Sequence, residues 1–193
     1  MNSSFLRNSI AVAGAVTIAL LTGCATQLGA PAASADNTTK ARATGMGAVQ
    51  VGEFALSPGK DKSLDSSISV RATSLSAPTG GSFSQYLRET LIVELKSAGL
   101  LNPTSPAVIT GFLTESQVDP AMSEGSGKLS ARFMVTRAGS TVYDRELSVS
   151  SKWPSSFVGA VAIPAAINEY TTLYRKLVGA LLDDPKFQEV TRK

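Results

Sequence analysis

The chain has no histidine, and Cys24 is its only cysteine in 193 residues. The first absence removes the commonest general base and the commonest metal ligand. Ser-His-Asp and Cys-His nucleophilic machinery is excluded, because its base is missing. With one cysteine there is no disulfide within the chain, and a zinc site would have to be built from carboxylates alone, a poor donor set for that ion. Charged residues make up only 17% of the chain and balance to +3. No run of Lys or Arg forms the clustered basic face that reads nucleic acid, so a nucleic-acid partner is not expected. Nor does any apolar run approach the ~20 residues that a membrane-spanning helix requires.

The longest apolar run, residues 10–21, carries no charge and follows Arg7. A positive n-region, an apolar h-region of about a dozen residues and a small-residue end have the layout of a secretory signal. The run closes on Leu21-Thr22-Gly23-Cys24, which resembles the lipobox of bacterial lipoproteins. The resemblance implies cleavage before Cys24 and a diacylglyceryl group on its thiol. Further acylation by chains such as palmitate then makes the hold stable, since one acyl chain alone binds reversibly. Residues 1–23 are accordingly expected to be a signal peptide. Ala25, where an aspartate in enteric lipoproteins goes with inner-membrane retention, implies an outer-membrane address facing the periplasm.

Residues 24–47 are almost free of large apolar side chains and rich in Ala, Ser, Thr, Gly and Asn. Such a composition predicts a flexible tether behind the lipidated cysteine. Residues 48–193 are enough for one hydrophobic core and too few for two. Val49, Val51 and Phe54 suggest a strand ended by Ser57-Pro58-Gly59, and Ile68, Val70 and Ala72 suggest another. Ser82 and Gln85 have capping-box spacing ahead of Phe83, Leu87, Leu91 and Leu95, with Gly99 as a left-handed stop. Residues 108–118 read as a strand and 120–127 as a loop. Two further strands fold back on each other about Ala138-Gly139-Ser140. A loop with Trp153-Pro154 follows, then a helix with Pro164 at its first position and a stripe of Ile167, Tyr170, Tyr174, Leu177 and Leu181. Asp184-Pro185 starts a last short turn. This order predicts an α+β class: a two-layer domain with a mostly antiparallel sheet against two main helices.

No motif supplies convincing chemistry. Ser57-Pro58-Gly59-Lys60 fits S-x-x-K in spacing, but its proline and glycine dictate a turn and no S-D-N or K-T-G companion follows. Gly125-Ser126-Gly127-Lys128 has a phosphate-loop flavour, yet Met122 stands where an earlier glycine belongs and a strand follows. Asp183-Asp184 has sufficient local work at a helix start. Glu53, Glu115 and Asp119 are lone carboxylates, with no pairing distance to argue a glycosidase. No catalytic residue, metal or cofactor is expected.

The distinctive candidate surface is residues 153–159, which hold the only tryptophan. Trp153 and Phe157 could anchor a partner or an acyl chain; the competing reading folds both back to seal the core. Lipobox, polar tether and compact α+β domain together resemble small envelope lipoproteins. They are most like the YajG-like lipoproteins, with LptE and the auxiliary lipoproteins of lipid-transport complexes more distant. The likeness rests on element order, including the helix from Tyr86-Leu87 to Gly99-Leu100, and carries over no functional residue beyond Cys24. It implies a non-catalytic accessory role: membrane attachment through the N-terminal lipid, and an envelope protein as partner. Two alternatives stand beside it, a lipid- or glycan-binding module and a carboxylate-dependent hydrolase.

Overall fold

A computed structural model describes residues 25–78 and 81–192. Residues 1–23, expected to be a signal peptide, and Cys24 lie outside the described residues. The elements are β1 (Ala25–Gln27), α1 (Ala35–Ala43), β2 (Gln50–Leu56), α2 (Ser63–Ser66), β3 (Ser67–Val70), β4 (Thr73–Ser76) and α3 (Phe83–Ala98). They continue with β5 (Ala107–Asp119), β6 (Glu124–Arg137), β7 (Ser140–Pro154), α4 (Gly159–Asp183) and α5 (Pro185–Thr191). The class is α+β. The main sheet has the order β2-β5-β6-β7, with β5-β6-β7 antiparallel and β2 parallel to β5. A small sheet, β1-β4-β3, adds β1 parallel to β4 at the edge of the antiparallel β3-β4 hairpin.

Alternation decides which sheet face is buried. Ile109, Leu113, Leu129, Ala131, Phe133 and Val135 point inward and are fully buried, as the two-residue period of a half-covered strand requires. Against them pack Phe83, Leu87, Leu91 and Leu95 of α3 and Tyr170, Leu173, Tyr174 and Leu177 of α4, in one continuous core. Each such side chain contributes roughly 1.5–3 kcal/mol of burial. The aromatic rings of the two helices meet edge to face: Phe83 with Tyr170 at 5.5 Å, Tyr86 with Tyr174 at 4.8 Å. Tyr170 Oη lies 2.6 Å from both Ser116 Oγ and Tyr174 Oη, so the buried hydroxyls satisfy one another.

The helix ends follow local chemistry. Gly99, at φ 76°, closes α3 in the left-handed region, and Leu100 N–H donates to Leu95 O at 2.8 Å, the hydrogen bond of a Schellman stop. The capping box is only half made. Ser82 Oγ accepts from Gln85 N–H at 3.3 Å, but the Gln85 amide donates to Phe54 O across on β2. Asp65 serves this helix end in another way, accepting from the first-turn Ser84 N–H at 2.6 Å and from the Ser82 hydroxyl at 2.9 Å. Pro164 is not at the first position of α4: the helix begins at Gly159 and takes the proline inside. The expected strand over 68–72 stops at Val70, and Arg71, at φ 55°, and Ala72 turn β3 into β4. Gly125-Ser126-Gly127 belongs to β6 and Trp153-Pro154 to β7, so the two expected loops shrink to residues 120–123 and 155–158.

The largest correction concerns the tether. Residues 25–47 hold a strand and a helix that dock on the domain. Leu28 and Met46, the two large apolar side chains near its ends, are each 2% exposed. Between them α1 is polar, yet it is held by hydrogen bonds. Ser34 Oγ caps it, accepting Asn37 N–H at 3.0 Å. The buried Glu94 carboxylate of α3 accepts from Ser34 N–H at 3.0 and 3.1 Å and from Asn37 Nδ2 at 3.0 Å. Asn37 Nδ2 also donates to Arg175 O of α4 at 2.9 Å. Gly179 permits this approach, since a Cβ there would lie 2.8 Å from Asn37 Oδ1.

Candidate functional site

The two residues singled out for a surface part company. Trp153, on β7, is 6% exposed. It faces Gly125 across the β6-β7 ladder, and a Cβ at Gly125 would sit 2.4 Å from the indole. The glycine is the floor on which the ring lies, and Gly127 beside it leaves room for Leu173. Trp153 is therefore a core residue that closes the sheet end. Phe157 is 76% exposed. The sequence groups the two in one loop, but β7 runs to Pro154, so Trp153 is held in the sheet while Phe157 falls in the exposed link to α4.

Phe157 has apolar company. Val158 and Val161, at the start of α4, and Met122, in the β5-β6 turn, are the other exposed large hydrophobic residues among those described. Two contacts bring the turn and the α4 entry together. Ser155 N–H donates to Ser123 O at 3.1 Å. From the β3-β4 turn, the Arg71 guanidinium donates to Pro120 O at 3.0 Å, Ser156 O at 2.6 Å and Phe157 O at 3.1 Å. A fork with five fixed donors suits this three-way clamp. The clamp also accounts for an arginine tolerating a left-handed backbone, a conformation that costs a non-glycine residue on the order of 1 kcal/mol. Sequence reading reached Phe157; Met122, Val158, Val161 and Arg71 emerge only when three distant turns meet.

The suspected reactive groups stay apart or are occupied. Ser57 and Lys60 form a turn closed by Lys60 N–H to Ser57 O at 3.2 Å. Lys128 pairs with Glu115 at 2.7 Å across β5 and β6. Asp183 binds Lys40 of α1 at 2.7 Å, and this hydrogen bond raises the ammonium pKa. Asp184 caps α5 through Lys186 and Phe187 N–H, and meets Arg145 at 3.1 Å. Among the described residues no group of three or more acidic, cysteine or histidine side chains could hold a metal ion. The outer sheet face carries paired polar groups beside the partly exposed Phe112 and Met134. Arg132 grips Asp144 through two bonds of 2.6 Å, raising its own pKa and lowering that of the carboxylate, and Thr114 Oγ1 donates to Glu146 at 2.6 Å. No helix among the described residues is long and apolar enough to cross a membrane.

Neither a family model nor a curated protein matches the chain. Solved structures do. A Xanthomonas campestris protein of family DUF330 is 17% identical over 82% of this chain and 94% of its own, with a TM-score of 0.49. A candidate lipoprotein from Caulobacter crescentus CB15 is 14% identical over 82% of this chain and 98% of its own, at TM-score 0.45. A minor lipoprotein from Acinetobacter baumannii is 13% identical over 74% of this chain and 87% of its own, at TM-score 0.34.

Proposed function

We propose that the chain is an envelope lipoprotein, anchored to the outer membrane by acyl chains on Cys24 and facing the periplasm, where it serves a non-catalytic accessory role in an envelope assembly. The observation that carries the reading is the abutment of lipobox and fold. Cys24 is one peptide bond from Ala25, and Ala25 already pairs with Ser74 in the small sheet. A chain built this way holds its domain at the membrane surface with no leash to let it range. A partner then meets a fixed face, and the paired outer surface of β5-β6-β7 is the broad side left for it. Such a role asks for placement and shape, with no reactive group. Cys24→Ser is expected to lose the lipid mass and to fractionate as a soluble or unprocessed protein. A Cys24→Ser chain that is still cleaved and tightly membrane-bound would refute the anchor. Crosslinking in intact cells, with identification of what co-purifies, tests the accessory role; an activity abolished by one Asp or Glu substitution overturns it.

A further inference from the structure

We infer that the end of the domain carrying Met122, Phe157, Val158 and Val161 lies in the lipid interface of the membrane that holds the Cys24 anchor, so that the protein docks on its bilayer by one defined face. The inference rests on the anchor proposed above.

Three observations converge on it. The first is where the chain enters. Ala25 is opposite Ser74 and β1 runs parallel to β4, so the entry is beside the start of β4, next to the Arg71 turn. Arg71 itself holds the Phe157 carbonyl. Counting the ladder spacing, three residues of turn and the reach of an arginine, entry and patch are at most about 25 Å apart. The second is the lack of slack. With β1 beginning at Ala25 and residues 34–37 tied to α3 and α4, an acylated Cys24 brings this end to the headgroups.

The third is composition. No Asp, Glu, Lys or Arg occurs in residues 153–168, 120–123 or 25–35. On α4, Val161 and Pro164 are three residues apart and exposed, and Phe157 and Val158, exposed just ahead of the helix, extend this apolar edge. Asp119, exposed at the end of β5, borders this face, so the patch is an apolar one with charge at its edge, and its large apolar tips suit the boundary of headgroups and acyl chains, where amphipathic helices bury ~5–10 Å deep. The one cation at this end, Arg71, has its guanidinium on three carbonyls. Charges reappear where the end meets water, as the Lys152–Glu124 pair at 2.7 Å.

The test uses the full lipidated protein in vesicles of phosphatidylethanolamine and phosphatidylglycerol, with and without brominated acyl chains. Acylation blocks the thiol of Cys24, so an environment-sensitive dye goes only to a new cysteine: Val161→Cys, Phe157→Cys, or Ser140→Cys at the far end of β7, roughly 45 Å away. All three positions are exposed, so none of the changes removes core. Dye at 161 and at 157 is expected to shift to the blue and to be quenched by brominated lipid roughly threefold more than dye at 140. Equal, water-like signals at all three positions on a vesicle-bound, acylated protein overturn this inference and leave the anchor standing. A blue shift indifferent to bromine means another copy of the chain covers the patch, and also overturns it. A protein whose Cys24 is unmodified by mass and which does not bind vesicles overturns both readings.

Discussion

Replacing Asn37 by alanine tests whether residues 25–47 are part of the fold. Asn37 is 3% exposed and Glu94 is 1% exposed, so neither is compensated by bulk water. The substitution removes the amide donor to the Glu94 carboxylate at 3.0 Å and to Arg175 O at 2.9 Å. A hydrogen bond to a charged group is worth about 1.5–3 kcal/mol and a neutral one about 1 kcal/mol. Glu94 is left buried with only Ser34 N–H as its donor among these contacts, which places the loss toward the upper end, about 3 kcal/mol. For a chain of this size that lowers the melting temperature by roughly 6–12 °C. Circular dichroism measures that shift, and limited trypsin digestion reports locally, because Lys40 and Arg42 lie on α1. Asn37→Ala should expose both sites before the rest of the domain opens. If the variant melts within about 0.5 kcal/mol of its parent, a change typical of plain surface substitutions, and trypsin cuts both proteins alike at Lys40 and Arg42, the latch reasoning fails. The segment would then be the leash its composition suggests.

Two further outcomes follow from the packing. Gly125→Ala sets a Cβ against the Trp153 indole at 2.4–2.6 Å, and overpacking of this kind costs about 1–3 kcal/mol; a chemical-denaturation midpoint equal to the parent's would show that the ring has somewhere else to go. The chain's tyrosines, Tyr86, Tyr143, Tyr170 and Tyr174, all have hydroxyl pKa values raised by burial. Because the folded state keeps protons that the unfolded chain releases near pH 10, stability is full below that pH and falls above it. For Tyr170 and Tyr174 the slope is up to ~1.4 kcal/mol per pH unit each. Absorbance at 295 nm should show no tyrosinate until an alkaline unfolding step, in which all four ionise together; ionisation of Tyr170 or Tyr174 in a still-folded protein would contradict the burial.

Much of the frame was legible in the chain because periodic burial leaves a periodic trace. The α3 stripe from Phe83 to Leu95, its Gly99 stop, the α4 stripe through Tyr170 and Leu177 and the β6-β7 turn at Ala138-Gly139 all stand where local pattern put them. Less was legible where a partner distant in sequence supplies the energy. The α1 segment has almost no apolar periodicity, and its order depends on Glu94, 57 residues beyond Asn37. Gly125 looked like loop because its missing side chain answers to Trp153, which is visible only across the ladder.

The sequence by itself determined the candidate address, through Leu21-Thr22-Gly23-Cys24, and the α+β class, through the alternation of periods two and 3.6. It also disposed of histidine chemistry, since an absent residue is absent in any fold. Tertiary structure alone decided that residues 25–47 pack on the domain, that Trp153 is core while Phe157 is surface, and that Met122, Val158 and Val161 join Phe157. Each of those depends on which distant backbone arrives beside a residue. Composition sets what a segment is able to bury, and only the assembled fold sets what is there to bury it against.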